Sequence, residues 1–294
     1  MEAGTIPPEA VETATGERRA RFHGQWASVA PGWSANAEYV DALAAPITER
    51  LLELSAPRPG EHVLELACGA GGLGMAAAER VAPDGHAVLS DIAAEMTAIA
   101  AARARARGLA NVSTRVLDLD RIDRPGDEYD VVLCREGIMF ALDPVGAARG
   151  IARVLRPGGR VALSVWGPRE RNPWLGLVFD AVAAQTGRPT PPPGGQCPFA
   201  LGDSERLAGL LAGAGLCGVE VTELPITVRD SSFDEWWARR SALAGPLAQL
   251  LASLPADAVD ALRARAREAV RPYETGGGAL AFPALTLIAS GRRA

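Results

Sequence analysis

Between Val63 and Gly74 the chain reads Val-Leu-Glu-Leu-Ala-Cys-Gly-Ala-Gly-Gly-Leu-Gly. An apolar run that ends in glycines and opens onto a helical pattern can fold in few ways. It predicts a strand, a tight turn and a helix N-terminus, the local unit of an α/β sheet. The unit then repeats. Strands are predicted at His62–Ala67, His86–Ser90, Val112–Leu117, Tyr129–Cys134 and Arg160–Trp166. Helices fall between them at Gly72–Val81, Ala94–Arg107 and Pro144–Leu155, with Gly108 closing the second as a C-cap. Near-continuous apolar strands alternating with helices indicate a parallel sheet covered on both faces. Arg156-Pro157-Gly158-Gly159 reads as a tight turn before the fifth strand.

The flanks are different in character. Residues 1–17 read as a disordered tail and 18–56 as an N-terminal helical lid carrying His23, Trp26, Trp33 and Tyr39. Residues 57–294 form the main domain, with cap elements at about 171–200 and 229–278. Within it Arg188 to Pro198 is a Pro/Gly-rich loop, and Asp203 caps a helix ending near Gly213. Val219–Val228 reads as a strand, Phe233–Ala244 and Ala256–Val270 as helices, and Ala281–Ser290 as a closing strand.

At 294 residues the chain is long enough to bury a full core, and no apolar run approaches the roughly 20 residues that span a bilayer. Met1 to Glu17 shows no basic region followed by an apolar stretch, so no signal peptide is expected. Cys68, Cys134, Cys197 and Cys217 lack paired spacing, which points to a reduced cytoplasmic protein without a metal. The net charge of −5 argues against a nucleic-acid partner. All 30 basic residues are arginine, and the missing lysine excludes Schiff-base catalysis, a Walker lysine and a Tyr–Lys dehydrogenase pair.

Gly69, Gly71 and Gly74 satisfy Gly-x-Gly-x-x-Gly, and Asp91 stands 20 residues beyond Gly71. Glycines let backbone approach a ligand, and an acid at the end of the second strand accepts two ribose hydroxyls. On spacing alone this suits any adenosine cofactor, a dinucleotide included. Glu65 changes the balance, because a pyrophosphate gains nothing from a carboxylate just before the turn, whereas a cationic ligand does. Asp118, after the third strand, is placed to accept from an adenine amine.

This succession resembles the class I S-adenosylmethionine-dependent methyltransferases, in particular the small-molecule branch of the ubiquinone-biosynthesis type. The resemblance implies a Rossmann-like, seven-stranded, mostly parallel sheet whose last strand is antiparallel, with helices on both faces. It implies S-adenosyl-L-methionine as cofactor and S-adenosyl-L-homocysteine as product. Carried over by residue, Glu65, Gly69 and Gly71 line the methionine end, with Ala67 where the family usually has glycine. Asp91 binds the ribose with Ile92 against the adenine face, Asp118 with Leu119 holds the adenine edge, and Met96 is a further cofactor-binding residue. Cys134 to Glu136 face methionine and substrate.

Methyl transfer asks the protein for proximity, alignment and sometimes a base. His62 and His86 open strands at the end away from the turn. His23 therefore stands as the candidate histidine base, with a surface or packing role as its alternative, and Glu136 as a weak base. Trp26, Trp33, Tyr39, Arg135, Met139, Trp166 and Trp174 are expected around a hydrophobic small-molecule substrate, plausibly a bacterial secondary metabolite. The oligomer is expected to be a monomer or homodimer, with no membrane partner. Two other readings stay open: a cofactor-bound cyclase of a natural-product pathway that transfers no methyl, and an NAD-dependent oxidoreductase. The scattered Tyr39, Tyr129 and Tyr273 count against the latter.

Overall fold

A computed structural model describes residues 8–191 and 197–294, with side chains from residue 16 onward. Its centre is a seven-stranded sheet in the order β3-β2-β1-β4-β5-β7-β6. The strands are β1 (His62–Leu66), β2 (His86–Asp91), β3 (Val112–Val116), β4 (Tyr129–Arg135), β5 (Leu155–Trp166), β6 (Leu216–Asp230) and β7 (Leu280–Arg293). The first five run parallel, and β7 inserts antiparallel between β5 and β6. Both parallel neighbours of β1 are reached by opposite turns of the chain, β2 on one side and β4 on the other. That reversal opens a crevice at the carboxyl ends of β1 and β4, where open α/β sheets bind ligands.

The helices in chain order are α1 (Pro8–Ala35), α2 (Ala37–Leu43), α3 (Ala45–Ser55), α4 (Gly72–Val81), α5 (Ala94–Ala106) and α6 (Pro144–Val154). After β5 come α7 (Pro173–Thr186) and α8 (Ser204–Gly213), then α9 (Phe233–Leu243), α10 (Gly245–Ser253) and α11 (Ala256–Val270). Leu64, Leu66, Val132 and Leu163 face α6 and α8, whereas Val63, Val131, Leu133 and Leu89 face α3, α4 and α5. Strand side chains alternate in direction, so each central strand buries both of its faces. A third core joins α7, α9, α10 and α11 over the ends of β6 and β7, around the fully buried Trp236 and Phe282. A fourth packs Val29 and Ala30 of α1 on Ala93 and Met96 at the start of α5.

The sheet and the two faces of helices follow the reading from sequence, and four local differences have physical causes. Helix α1 extends upstream of the boundary read at 18, beginning at Pro8, a residue suited to a first helical turn; residues 1–7 of the expected tail lie outside the described residues. Arg156 to Gly159 is a bulge within β5 rather than a separate turn: Tyr129 pairs with Leu155 and Val131 with Arg160, so the extra residues loop out between two ladders. Strands β6 and β7 run longer than expected because they pair with each other beyond the rest of the sheet. Helix α10 was not expected at all, yet Pro246 sits in its first turn, where a missing N–H costs nothing. Residues 192–196 of the Pro/Gly-rich loop lie outside the described residues.

Candidate active site

The crevice is roofed. Helices α1 and α2 come from one side, α7 and α9 from the other, and beneath them lies a cavity of about 210 Å³. Its floor is the glycine turn and the carboxyl ends of β1, β2 and β4. Its walls include Phe22, Trp26, Trp33, Tyr39, Trp166 and Trp174.

The turn after β1 is held from both sides. The Cys68 amide donates to Ser90 O at 2.8 Å and the Gly71 amide to Cys68 O at 2.8 Å. One oxygen of Asp91 accepts from the Gly69 amide at 2.9 Å and the other from the Ala93 amide at 3.0 Å. Asp91 is therefore fixed at the tip of β2 and shapes the turn while lining the cavity. At Gly74 a methyl group would lie 2.4 Å from Glu65 Oε2, and the Gly74 amide donates to that same oxygen at 2.9 Å. Only glycine leaves room for this contact.

Glu65 is 1% exposed. Burial pushes its carboxyl up to about 8, against the attraction of Arg135. A carboxylate this poorly compensated favours a ligand that brings positive charge. Asp91 is likewise pushed up by burial. Asp118 lines the cavity beyond it, accepts from the Asp120 amide at 2.9 Å, and pairs with Arg19 Nε of α1 at 3.2 Å. Asp120 is committed instead to the amides of Leu142 and Asp143 at 3.0 and 2.7 Å. A buried acid at β1, an acid at the tip of β2 and a third after β3 fit the cationic end, ribose and amine of S-adenosylmethionine. Glu65, Asp91 and Asp118 are the side chains that would hold it.

Glu65, Ala67, Gly69, Asp91, Ile92, Met96, Asp118 and Leu119 all line the cavity, as do Trp26, Trp33, Tyr39, Arg135, Glu136, Trp166 and Trp174. Four expected site residues lie elsewhere. Gly71 turns the chain into α4. Cys134 and Met139 are buried in the core beside α6, and burial pushes the Cys134 thiol up to about 12. His23 is exposed on α1, outside the cavity lining.

Arg135 is braced by Thr48 Oγ1 at 2.7 Å and lies 3.8 Å from Asp41. Glu136 has left-handed backbone (φ 53°), and its carboxyl oxygens are shielded from solvent next to the Ser164 and Thr286 hydroxyls. Burial pushes it up to about 8.

Sequence reasoning missed the arginines of the roof. Arg239 and Arg240 of α9 line the cavity. Arg239 sits 4.0 Å over the Tyr39 ring and donates to Asp230 Oδ1 at 2.6 Å. The run Trp-Trp-Ala-Arg-Arg at 236–240 was a usable signal, because adjacent aromatic and guanidinium groups in one helix mark a face that is part core and part site.

Comparison with known proteins agrees with this fold. Residues 57–173 match the family model described as a methyltransferase domain. The nocamycin O-methyltransferase of Saccharothrix syringae is 36% identical over 195 residues, covering 61% of this chain and 66% of that one. The uncharacterized protein Mb1438c of Mycobacterium bovis is 32% identical over 210 residues, covering 71% of this chain and 70% of its own length. The chain spans about half to two thirds of the length of the curated relatives it matches first. Among solved structures, the YcgJ protein of Bacillus subtilis shares the fold, with a TM-score of 0.55 at 18% identity over 84% of this chain and 97% of that one.

Proposed function

The chain belongs to the class I S-adenosylmethionine-dependent methyltransferases, and we propose that it methylates a hydrophobic small molecule, of the secondary-metabolite kind, inside the roofed cavity. The observation that carries this reading is the division of one cavity into two linings. Carboxylates stand at the sheet side, and tryptophan, phenylalanine and leucine close the roof. The relative that acts in nocamycin methylation supports the substrate class.

When bound, the cofactor supplies an electrophilic methyl on a cationic sulfur. The chain's own work is to bind, align and exclude water. Glu65 meets the positive end, Asp91 and Asp118 orient the nucleoside, and the ring walls hold the acceptor against bulk solvent, so that two reactants meet in one geometry. A hydroxyl or amine acceptor held there would have to give up its proton on methylation. Glu136, which lines the cavity at the end of β4, takes that proton in its ionised form, reached as pH rises toward about 8, where the acceptor is not already ionised.

Calorimetry with S-adenosylhomocysteine is the first test, with 1:1 binding expected and its loss expected in Asp91→Ala. Absence of binding to the parent protein would sink the reading. Apolar acceptors bearing hydroxyl or carboxyl groups are then incubated with S-adenosylmethionine. Methylated product and S-adenosylhomocysteine must appear in equal amounts; product without S-adenosylhomocysteine identifies a cyclase instead.

A further inference from the structure

We propose that Arg240 anchors an anionic oxygen of the substrate (a carboxylate, phenolate or enolate) carried on an apolar ring body. The proposal deepens the function proposed above and rests on it. Arg240 lies on α9, is 4% exposed and lines the cavity. Its guanidinium stacks 4.8 Å from the Trp174 ring and its Nη2 donates to the Tyr39 hydroxyl at 3.1 Å. These contacts fix the plane of the fork. Its Nε is buried and makes no hydrogen bond among the described residues. A charged donor left without an acceptor is expensive, and folded proteins seldom keep one idle.

The nearby counter-charge is shared with a second arginine. Asp230, with its side chain fully buried, accepts from Arg239 at 2.6 Å. Its other oxygen stands 3.8 Å from Arg240 Nη2 with no hydrogen bond to it. Glu235 reaches only Arg239, at 3.2 Å and half exposed on the outer rim. Two guanidiniums thus share one buried carboxylate. On the sheet side, Asp118 is paired with Arg19, and Asp91 is bound to the amides of Gly69 in the glycine turn and of Ala93.

The cavity is consequently polarised: its floor carries Glu65, Asp91 and Asp118 with Arg135 among them, and its roof carries Arg239 and Arg240 over one shared carboxylate. A cationic cofactor suits the floor, and an anion suits the roof. Trp166, Trp174, Leu43 and Leu243 also line the cavity, so the anion must be borne on an apolar, ring-sized body. A planar fork with fixed orientation also suits an oxygen acceptor better than a flexible ammonium would.

The test compares anthracene-2-carboxylate with anthracene-2-carboxamide, two probes of one shape that differ in charge. Each is titrated by fluorescence into the full chain saturated with S-adenosylhomocysteine. The parent protein is expected to bind the carboxylate ten- to a hundredfold tighter. In Arg240→Gln that preference falls to within twofold, while carboxamide affinity holds. Equal affinity of the parent for the two probes overturns the proposal, as does binding of neither or a preference that survives in Arg240→Gln. Should Arg240→Gln fail to fold, Arg240→Lys decides: it keeps the charge and loses the Nε fork, so a preference reduced at least threefold supports the anchor and an undiminished one refutes it. Failure of S-adenosylhomocysteine itself to bind the parent would count against the methyltransferase reading and not against Arg240.

Discussion

Arg103 Nη2 donates to Asp41 Oδ2 at 2.5 Å, and this pair fastens the roof to the floor. Arg103 belongs to α5 and Asp41 to α2, while Arg103 Nη1 donates to Ala70 O at 2.6 Å within the glycine turn. One guanidinium therefore reads the position of the turn and transmits it to the roof. Asp41 also lies 3.4 Å from Arg107 and 3.8 Å from Arg135. Asp41→Ala removes the carboxylate these three share and leaves their charges to repel. Dissociation of S-adenosylhomocysteine should quicken, weakening its affinity about tenfold, or roughly 1.4 kcal/mol. Stopped-flow release is the measurement, and an unchanged off-rate would show that the roof closes without this latch.

Glu65 makes cofactor affinity depend on pH in a stated direction. With burial holding its carboxyl at about 8, it is mostly neutral at pH 6.5 in the unliganded protein. A cationic ligand prefers the ionised form, so the advantage of Glu65 grows as pH rises through about 8. Glu65→Gln lacks that gain. The ratio of S-adenosylmethionine affinities, parent over variant, should be near unity at pH 6.5 and reach roughly tenfold at pH 8.5. Taking a ratio cancels titration of the cofactor's own amine. A ratio flat across that range would remove Glu65 from the cationic end.

The floor was legible in the sequence because it is local. Glycines, Glu65 and Asp91 lie on one strand–turn–helix unit and the next strand tip, and parallel register brings Glu65 beside Leu89 on β2 without further information. Periodicity and turn chemistry therefore located these elements within a residue or two. The roof is assembled otherwise. Arg240 meets Tyr39 across 201 residues of sequence, and Trp33 Nε1 donates to Leu243 O across 210. No local pattern encodes contacts of that span. His23 shows the converse: its place on a lid helix was readable, but which face of that helix it occupies was decided by the packing of Phe22, Val29 and Ala30.

Ala67 stands in left-handed backbone, with φ 51°, at the position where the resembling family usually has glycine. A β-carbon in this conformation costs about 1 kcal/mol or somewhat more. Ala67→Gly relieves it, but also loosens the unfolded chain by roughly 0.5–1 kcal/mol. The two effects oppose, so the net change should lie between zero and about 1 kcal/mol of stabilisation, which for a chain of this size raises Tm by no more than ~2 °C. Calorimetric unfolding measures it; a loss above ~1 kcal/mol would mean that the methyl contributes packing the strain argument omits.

Glu136 ties stability to pH. Its carboxyl sits at about 8 when folded, raised chiefly by burial, against an ordinary value of 4.5. Between those values the folded chain holds a proton that the unfolded chain has released, so the free energy of unfolding falls as pH rises. The stability tied to the neutral form is fully present below about 4.5 and is lost as pH climbs through about 8. Glu65 adds a parallel slope of the same sign. Glu136→Gln cannot ionise and keeps a similar shape, so its Tm should decline less steeply from pH 5 to pH 9 and exceed the parent's above pH 8. Because Glu65 is unchanged in the variant, part of the slope must survive. Thermal melts in matched ionic strength distinguish the cases. Parallel curves for parent and variant would mean that Glu136 ionises freely in the folded protein, which its burial opposes.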